Sequence, residues 1–346
     1  MSRETRSRRA PTLEDVAARA GVSRATASRV VNEDPRVRPR AREAVAAAVA
    51  ELGYRPNRAA RSLVTREADS IAVVVPEAED RVFGDPFFAA MLGGITQALA
   101  DSPAQVLLAM GRRGQGAEKI EKYLRGGYTD GAIVVSHHRD DRIGEVLRET
   151  QLPAVYVGRP AGEPRLPFVD VDNHAGGRLA AEHLIAQGRR RLATIAGPQD
   201  MTPGADRLAG WRKGLAEAGI STDPQDGLMH ELVEVGDFTA ASGGEAMQRL
   251  LALSPELDGV FAASDLMAVS AVHALQAAGR RVPEDVAVVG FDDSSAAALC
   301  RPPLTTVLNP VAALATTAVD MLLRLMEGGE AQSVLIDTEL VRRTSA

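Results

Sequence analysis

Residues 12–32 read Thr12-Leu-Glu-Asp-Val-Ala-Ala-Arg-Ala-Gly21-Val-Ser23-Arg-Ala-Thr-Ala-Ser-Arg-Val-Val-Asn32, and their spacing predicts two short helices joined by a tight turn. Thr12 stands in N-cap position with Asp15 three residues later, and Leu13, Val16, Ala17 and Ala20 recur at helical spacing. Gly21 ends the first helix, and Ser23 caps a second over Arg24 to Val31. A third is expected from about Pro39 to Leu52, with Pro39 suited to its first turn. A helix, a turn containing glycine and a Ser-capped second helix form a helix-turn-helix, whose second helix is built to enter the major groove of DNA. Arg24, Ala25 and Arg29 are then the candidates to meet base edges: arginine can bridge guanine O6 and N7, and the Ala25 methyl suits a thymine methyl. Ser23, Thr26, Ser28 and Asn32 are short hydrogen-bonders better matched to phosphates, which set register without carrying sequence.

The charge distribution agrees. The chain has 346 residues, with 46 Asp plus Glu against 40 Lys plus Arg, a formal net charge of −6. Residues 1–66 hold 15 Arg, no Lys and 7 acids, a net of +8, which leaves −14 for residues 67–346. A basic segment around a helix-turn-helix is the electrostatic footprint of nucleic-acid binding. Residues 1–10 are expected to be a basic, disordered tail. A composition of 45% hydrophobic and 25% charged residues is that of a globular protein and excludes disorder across the whole chain. One cysteine, Cys300, excludes a disulfide scaffold and a multi-Cys zinc site and fits a reducing cytosol. Met1 to Pro11 contains no apolar core of a secretory signal, and no run approaches the roughly 18 consecutive apolar residues of a membrane span. A cytoplasmic protein without a membrane partner is expected.

From Ser70 the pattern changes. Ile71–Val75, Val106–Ala109, Ala132–Val135, Ala154–Val157, Leu192–Ile195, Gly259–Ala262 and Val286–Val289 read as buried parallel strands. Between them lie amphipathic helices such as Phe88–Ala100, Ala175–Gln187, Ala205–Ala218 and Met267–Ala278. This alternation implies an α/β fold, and its length suits two doubly wound sheets better than one. Ligands in such folds sit at the carboxyl ends of strands.

The motif of residues 12–32, with Arg42 to Leu52, Gly53-Tyr-Arg-Pro-Asn57 and Ala60-Arg-Ser-Leu63, resembles the lac repressor (LacI/GalR) family of bacterial transcription regulators, and the resemblance covers nearly the whole chain. One departure is Ala27, where the family usually has a larger apolar residue, a loss of about 1 kcal/mol of packing. The resemblance implies an all-α helix-turn-helix DNA-binding domain over 11–55, then a hinge helix and linker over 56–68. A periplasmic-binding-protein-like core of two Rossmann-like subdomains would follow over 69–346. Family topology places the N-subdomain at about 69–168 and 309–330, and the C-subdomain at about 172–305 plus a final strand over 334–343. Crossovers are expected near Val169 to Asn173, Asp292 to Asp293 and Thr305 to Asn309. Thr12, Tyr54, Asn57, Arg58, Ala60 and Leu63 join the DNA-binding set by this resemblance. Asn57 to Leu63 is too short a helix to persist alone, and Leu63 matches the family's minor-groove wedge, which unstacks a base step to bend the duplex.

A sugar offers an apolar ring face and a rim of hydroxyls, so its site needs an aromatic platform and charged hydrogen-bonding groups. Asp85-Pro-Phe-Phe88 follows the first strand and matches a family motif, placing Phe87 or Phe88 at a cleft with the other in the core. Arg159 follows a strand. Arg207, in Arg207-Leu-Ala-Gly-Trp211, and Asp292, at the end of Val289-Gly-Phe-Asp, match effector-binding positions of the family, and Trp211 is expected to pack. Phe238 stands where some relatives place a stacking aromatic. Ser264 replaces a frequent Asn, and Gly158 replaces an acid found in several sugar binders. The implied molecule is a homodimer that binds double-stranded operator DNA and is released by a small effector, a carbohydrate. The open alternatives are a purine- or phosphoprotein-responsive corepressed member of the same family, or a sugar-binding receptor. No cofactor or metal is expected: adjacent His137-His138 and Asp140-Asp141 on one loop point apart. No nucleotide-binding or zinc-hydrolase motif supports an enzyme; Gly111-Arg-Arg-Gly-Gln-Gly116 has the wrong spacing for a dinucleotide fingerprint.

Overall fold

Thr12 and Asp15 close the first helix reciprocally. The Thr12 hydroxyl accepts the Asp15 N–H at 3.3 Å, while the Asp15 carboxylate accepts the Thr12 N–H at 2.8 Å. The computed structural model describes residues 11–32, 34–55, 68–111, 116–162, 166–220 and 232–346. The basic tail 1–10 and the hinge positions Asn57, Arg58, Ala60 and Leu63 lie outside them. Contacts divide the chain into two compact units, Met1–Ala68 and Asp69–Ala346.

The first unit holds α1 (Leu13–Ala20), α2 (Arg24–Val31) and α3 (Pro39–Leu52), the spans expected from sequence. Gly21 turns the chain in the left-handed region, φ 66°, which costs a residue without a β-carbon little. The Ser23 hydroxyl then accepts the Thr26 N–H at 3.1 Å and starts α2. Val16, Ala17, Ala27, Val45 and Ala48 form the core, and Tyr54 packs against it. Ala27 is fully buried at its centre.

The second unit is built on two six-stranded sheets. The first contains β1 (Ser70–Val75), β2 (Gln105–Met110), β3 (Gly131–Val135), β4 (Ala154–Val157), β5 (Phe168–Val171) and β11 (Val334–Ile336), in the order β11-β5-β4-β3-β1-β2. The second contains β6 (Leu192–Ala196), β7 (Leu232–Val235), β8 (Gly259–Ala262), β9 (Ala287–Asp292), β10 (Thr305–Leu308) and β12 (Leu340–Val341), in the order β12-β10-β9-β8-β6-β7. All neighbours are parallel except β10 and β12. β1 and β3 are buried throughout, as strands covered on both faces must be. Helices that bear on the site are α4 (Glu79–Gly84), α5 (Pro86–Ala98), α6 (Ala117–Arg125), α7 (Ile143–Thr150), α8 (Asn173–Ala186), α9 (Thr202–Glu217), α10 (Ala240–Leu253), α11 (Asp265–Ala277), α12 (Ser295–Leu299) and α13 (Val311–Met326).

The chain passes between sheets three times: after β5, after β10, and between β11 and β12. Two expected boundaries are thereby corrected. Asp292 and Asp293 are not a crossover, because β9 and β10 are parallel neighbours in one sheet, with Leu308 opposite Asp292. Nor is Val334 to Arg343 a single strand of the C-subdomain. Val334–Ile336 pairs with β5 in the first sheet, Leu340–Val341 pairs with β10 in the second, and the polar Asp337-Thr338-Glu339 crosses between them. Hydrogen bonds from the Thr338 hydroxyl to the Leu308 carbonyl (2.6 Å) and from the Leu308 N–H to the Glu339 carbonyl (2.9 Å) fix that crossing. The N-subdomain also takes in β5, past its expected end at residue 168. α13 then returns to the first sheet, where Leu314, Ala318 and Leu322 join the core around Ile71 and Val73.

α8 and α9 approach through glycines. A β-carbon on Gly210 would stand 1.9 Å from the His174 carbonyl oxygen, and one on Gly177 would stand 2.0 Å from that of Arg207. Gly210→Ala must therefore push the helices apart, at an expected cost of about 3 kcal/mol. A urea titration reads this as a lower midpoint, and an unchanged midpoint would show that the contact is slack.

Candidate effector cleft and DNA-reading helix

Carboxyl ends of strands from both sheets open onto one cavity of about 680 Å³ of empty space, mouth included. The first sheet contributes Ser136 and His137 after β3, Gly158 after β4, and Asp170 on β5, with Arg81 on α4 and Asp85, Phe87 and Phe88 where α5 begins. The second contributes Arg207 on α9, Phe238 before α10, Ser264 before α11, Asp292 ending β9 and Asn309 after β10. Six sequence candidates, Phe87, Phe88, Arg207, Phe238, Ser264 and Asp292, thus meet around one space. Phe88 is in the core at 2% exposure, and Phe87 meets it edge-on with ring centroids 5.3 Å apart. Trp211 is fully buried and stacks on Phe261. Arg159 does not line the cavity: its guanidinium is held by Asp206 at 2.5 Å.

Arg207 organises the site. Its Nε donates to Asn173 Oδ1 at 2.8 Å and one terminal nitrogen donates to the Ala263 carbonyl at 2.6 Å. The guanidinium lies 3.5 Å over the Phe291 ring, and Asp292 Oδ1 is 3.8 Å away. A planar cation stacked on an aromatic and bonded in its plane is held in one orientation. The carboxyls around it are crowded. Burial pushes Asp292 up against the pull of Arg207, and Asp265 and Asp85 push it further. Burial raises Asp85, and raises Asp170 to about 6 despite the N–H groups of Arg159 and Val171 that bond it. Asp292 sits at φ 123°, a sparsely populated conformation of the kind found at ligand sites. In two residues that line this cavity a buried side-chain atom, Arg81 Nε and Asn309 Oδ1, has no hydrogen-bond partner among the described residues. One is a donor and the other an acceptor.

Sequence reasoning missed Arg81, His137, Asp170 and Asn309. Asp85 was visible only as part of a motif; it caps α5 by accepting the Phe87 N–H at 3.0 Å. His137 and His138 do point apart. His137 packs edge-on against Tyr156 and bonds the Gly158 carbonyl, and burial pushes its pKa down to about 4, so it is neutral. His138 bridges the subdomains, with Nε2 3.2 Å from Glu77 after β1 and Nδ1 2.9 Å from Asp200 after β6. The Arg139 N–H adds a bond to the Asp200 carbonyl at 2.9 Å. Among the described residues no cluster of three or more His, Cys, Asp or Glu could hold a metal ion.

Burial pushes the His138 imidazole down, but Glu77 and Asp200 outweigh burial and hold its pKa above the ordinary value. Asp141, which accepts the His138 N–H, and Arg81, paired with Glu77 at 2.6 Å, add to its charged surroundings. A raised folded-state pKa gives stability that is complete below pH 6.5 and is lost as pH rises through the folded value. His138→Gln is therefore expected to cost about 1–3 kcal/mol at pH 6 and much less at pH 9. Thermal melts of both proteins across that range check it, and a gap independent of pH would remove the ionic bridge.

In the first unit, Ser23, Arg24, Ala25 and Arg29 are exposed, the last three on α2. Thr26 and Ser28 are half-buried on the same helix, and Asn32 is its C-cap. Arg24 is paired with Glu14 at 2.6 Å, an exposed contact that sequence reading did not foresee. Tyr54 is half-buried against the helical core.

The lacI family of bacterial regulatory proteins matches residues 12–57, and the periplasmic binding protein-like domain matches residues 181–346. The HTH-type transcriptional regulator CelR of Thermobifida fusca is 47% identical over 342 residues, 98% of this chain and 99% of its own. The repressor CytR of Escherichia coli K12 is 33% identical over 339 residues, 97% of this chain and 96% of its own. Among solved structures, a CelR–cellobiose complex is 45% identical, with TM-score 0.77, covering 97% of this chain and 100% of that one. A lac repressor dimer bound to operator and the anti-inducer ONPF is 30% identical, with TM-score 0.83, covering 97% and 99%. With a helix-turn-helix of the family's pattern, two doubly wound sheets around one cleft and relatives matched end to end, the chain belongs to the lacI family of DNA-binding bacterial transcription regulators.

Proposed function

We propose that the protein is a cytoplasmic, homodimeric repressor that acts by binding alone: it grips a pseudopalindromic operator through paired α2 helices and releases it when a small saccharide occupies the cleft. The observation that carries the effector reading is the cavity's pattern of groups. Phe87 and Phe238 offer apolar ring faces, the guanidinium of Arg207 and the carboxyls of Asp292 and Asp170 converge on the same space, and Arg81 Nε and Asn309 Oδ1 lack partners. A buried unpartnered donor or acceptor costs about 1–3 kcal/mol, and a hydroxyl, which both donates and accepts, satisfies either. The similar CelR, solved as a cellobiose complex, supports a β-linked disaccharide as the first ligand to try. Release follows if the saccharide favours a subdomain arrangement different from the one that suits the operator. That no helix of the described residues is long and apolar enough to cross a membrane fits a cytoplasmic regulator.

Calorimetric titration with cellobiose, ribose, adenine and guanine tests the reading. Saturable binding of a saccharide is expected, and it should weaken when Asp292 is replaced by Ala in a protein that still folds. Binding of a purine with no response to saccharides would move the site to another ligand class.

A further inference from the structure

The cleft's charges bear on which form of a sugar it can accept, an inference that rests on the carbohydrate reading above. In open α/β sheets the helix N-termini at strand ends are ready anion sites, and here those of α5, α8 and α11 are already occupied by the protein's own side chains. The α5 terminus is capped by the Asp85 carboxylate at 3.0 Å, and that of α8 by Asp172, which accepts the Ala175 N–H at 2.8 Å. The α11 terminus carries Ser264 as its cap and Asp265 in its first turn. The α9 terminus has no side-chain cap, but Pro203 in its first turn removes one of its N–H groups.

The cations are matched as well. Arg81 is paired with Glu77 at 2.6 Å, Arg159 with Asp206 at 2.5 Å, and Arg207 lies among Asp85, Asp170, Asp265 and Asp292. Among the described lining residues, two arginines face three aspartates, with Glu77 and Asp265 directly behind. Burial holds Asp85, Asp170 and Asp292 above the ordinary carboxylate range, which marks the cleft wall as poor at solvating an anion, and both lining arginines already have acidic neighbours.

We propose that this cleft accepts uncharged saccharides and rejects their phosphorylated and carboxylated counterparts, so that the regulator reads a sugar before the phosphoryl-transfer or oxidation reaction that would charge it. Like-charge juxtaposition in a recognition site costs enough to separate partners by orders of magnitude, whereas an added neutral group is resisted only by its bulk.

Titration calorimetry of the full chain with three ligands tests this: cellobiose, cellobiose 6-phosphate and 6-O-acetyl cellobiose, the last matching the phosphate in bulk without its charge. Expected are binding of the acetyl ester within about tenfold of cellobiose and binding of the phosphate weaker by at least about 100-fold. Asp85→Asn, which keeps a helix-capping side chain, should narrow the gap between phosphate and cellobiose by about tenfold. Equal or tighter binding of the phosphate overturns the proposal, and so does rejection of the acetyl ester as strong as that of the phosphate, which would make the selection steric. If none of the three binds while a purine does, the carbohydrate reading itself fails. Phosphate binding alone would leave that reading standing and refute only the exclusion of charge.

Discussion

Arg207→Met is expected to abolish the response to saccharide and to cost the effector unit about 3–5 kcal/mol, the usual consequence of removing one partner from a buried charge network. The methionine fills much of the volume over Phe291, so packing changes little. What is lost is the cation among Asp85, Asp170, Asp265 and Asp292, together with the bonds to Asn173 and the Ala263 carbonyl. Without it those carboxyls move further above their unfolded values. An acid raised by folding destabilises above its folded pKa and is relieved as pH falls through that value, so the deficit should shrink from pH 8 to pH 5. Adding Asp292→Asn should recover part of it. Urea midpoints at the two pH values read the stability, and the melting shift with cellobiose reads the response. A variant as stable as the parent would mean that Arg207 is not what balances the acids.

The second large effect lies on α2. Arg29→Ala should lose about 1–3 kcal/mol on the preferred operator and relax specificity at one base pair, with little loss on random duplex. Arg29 is exposed on a helix fixed at its start by Ser23, so its position does not depend on DNA for its backbone. Arg24 differs, because it must leave Glu14 to reach a base. That pair is exposed and worth at most about 1 kcal/mol, so Glu14→Gln should raise operator affinity slightly rather than reduce it. Equal loss on operator and random DNA would make Arg29 a phosphate contact. Competition binding against both duplexes at fixed salt separates the outcomes, since affinity from a segment of net charge +8 falls steeply as salt rises.

The helical unit was legible almost residue by residue, because its determinants are local: a capping box at Thr12 and Asp15, a glycine at the turn and a serine cap at Ser23. Buried strands such as β1 and β3 were legible as β-branched runs, and β8 as a short apolar one. β5, β7 and β10 were not anticipated as strands. They are four-residue segments, each with Asp, Glu or Thr within it, whose pairing is fixed by neighbours far along the chain. The Val334 to Arg343 segment shows the same limit, since an apolar pattern marks a strand without saying which sheet receives it. The cleft was half legible. Phe87 and Asp292 stood out by their place at strand ends and by resemblance, and Arg207 by resemblance alone. Asp170 and Asn309 had only their position beside a strand end as a signal, and the Glu77–His138–Asp200 bridge had none, since it joins three loops from two sheets. The charge arithmetic was legible as a distribution and misleading as a sum: the basic reader and the acidic sensor nearly cancel.

The central claim is that one chain couples a DNA-reading helix to a saccharide cleft. Fluorescence anisotropy of a labelled operator, selected from a random duplex pool by the full-length protein, tests it most directly. Cellobiose is predicted to weaken operator binding by about 5- to 150-fold, the range of ordinary allosteric coupling, and Arg207→Met should show no such change. A saccharide that binds the protein yet leaves operator affinity unchanged, or raises it, would contradict the account.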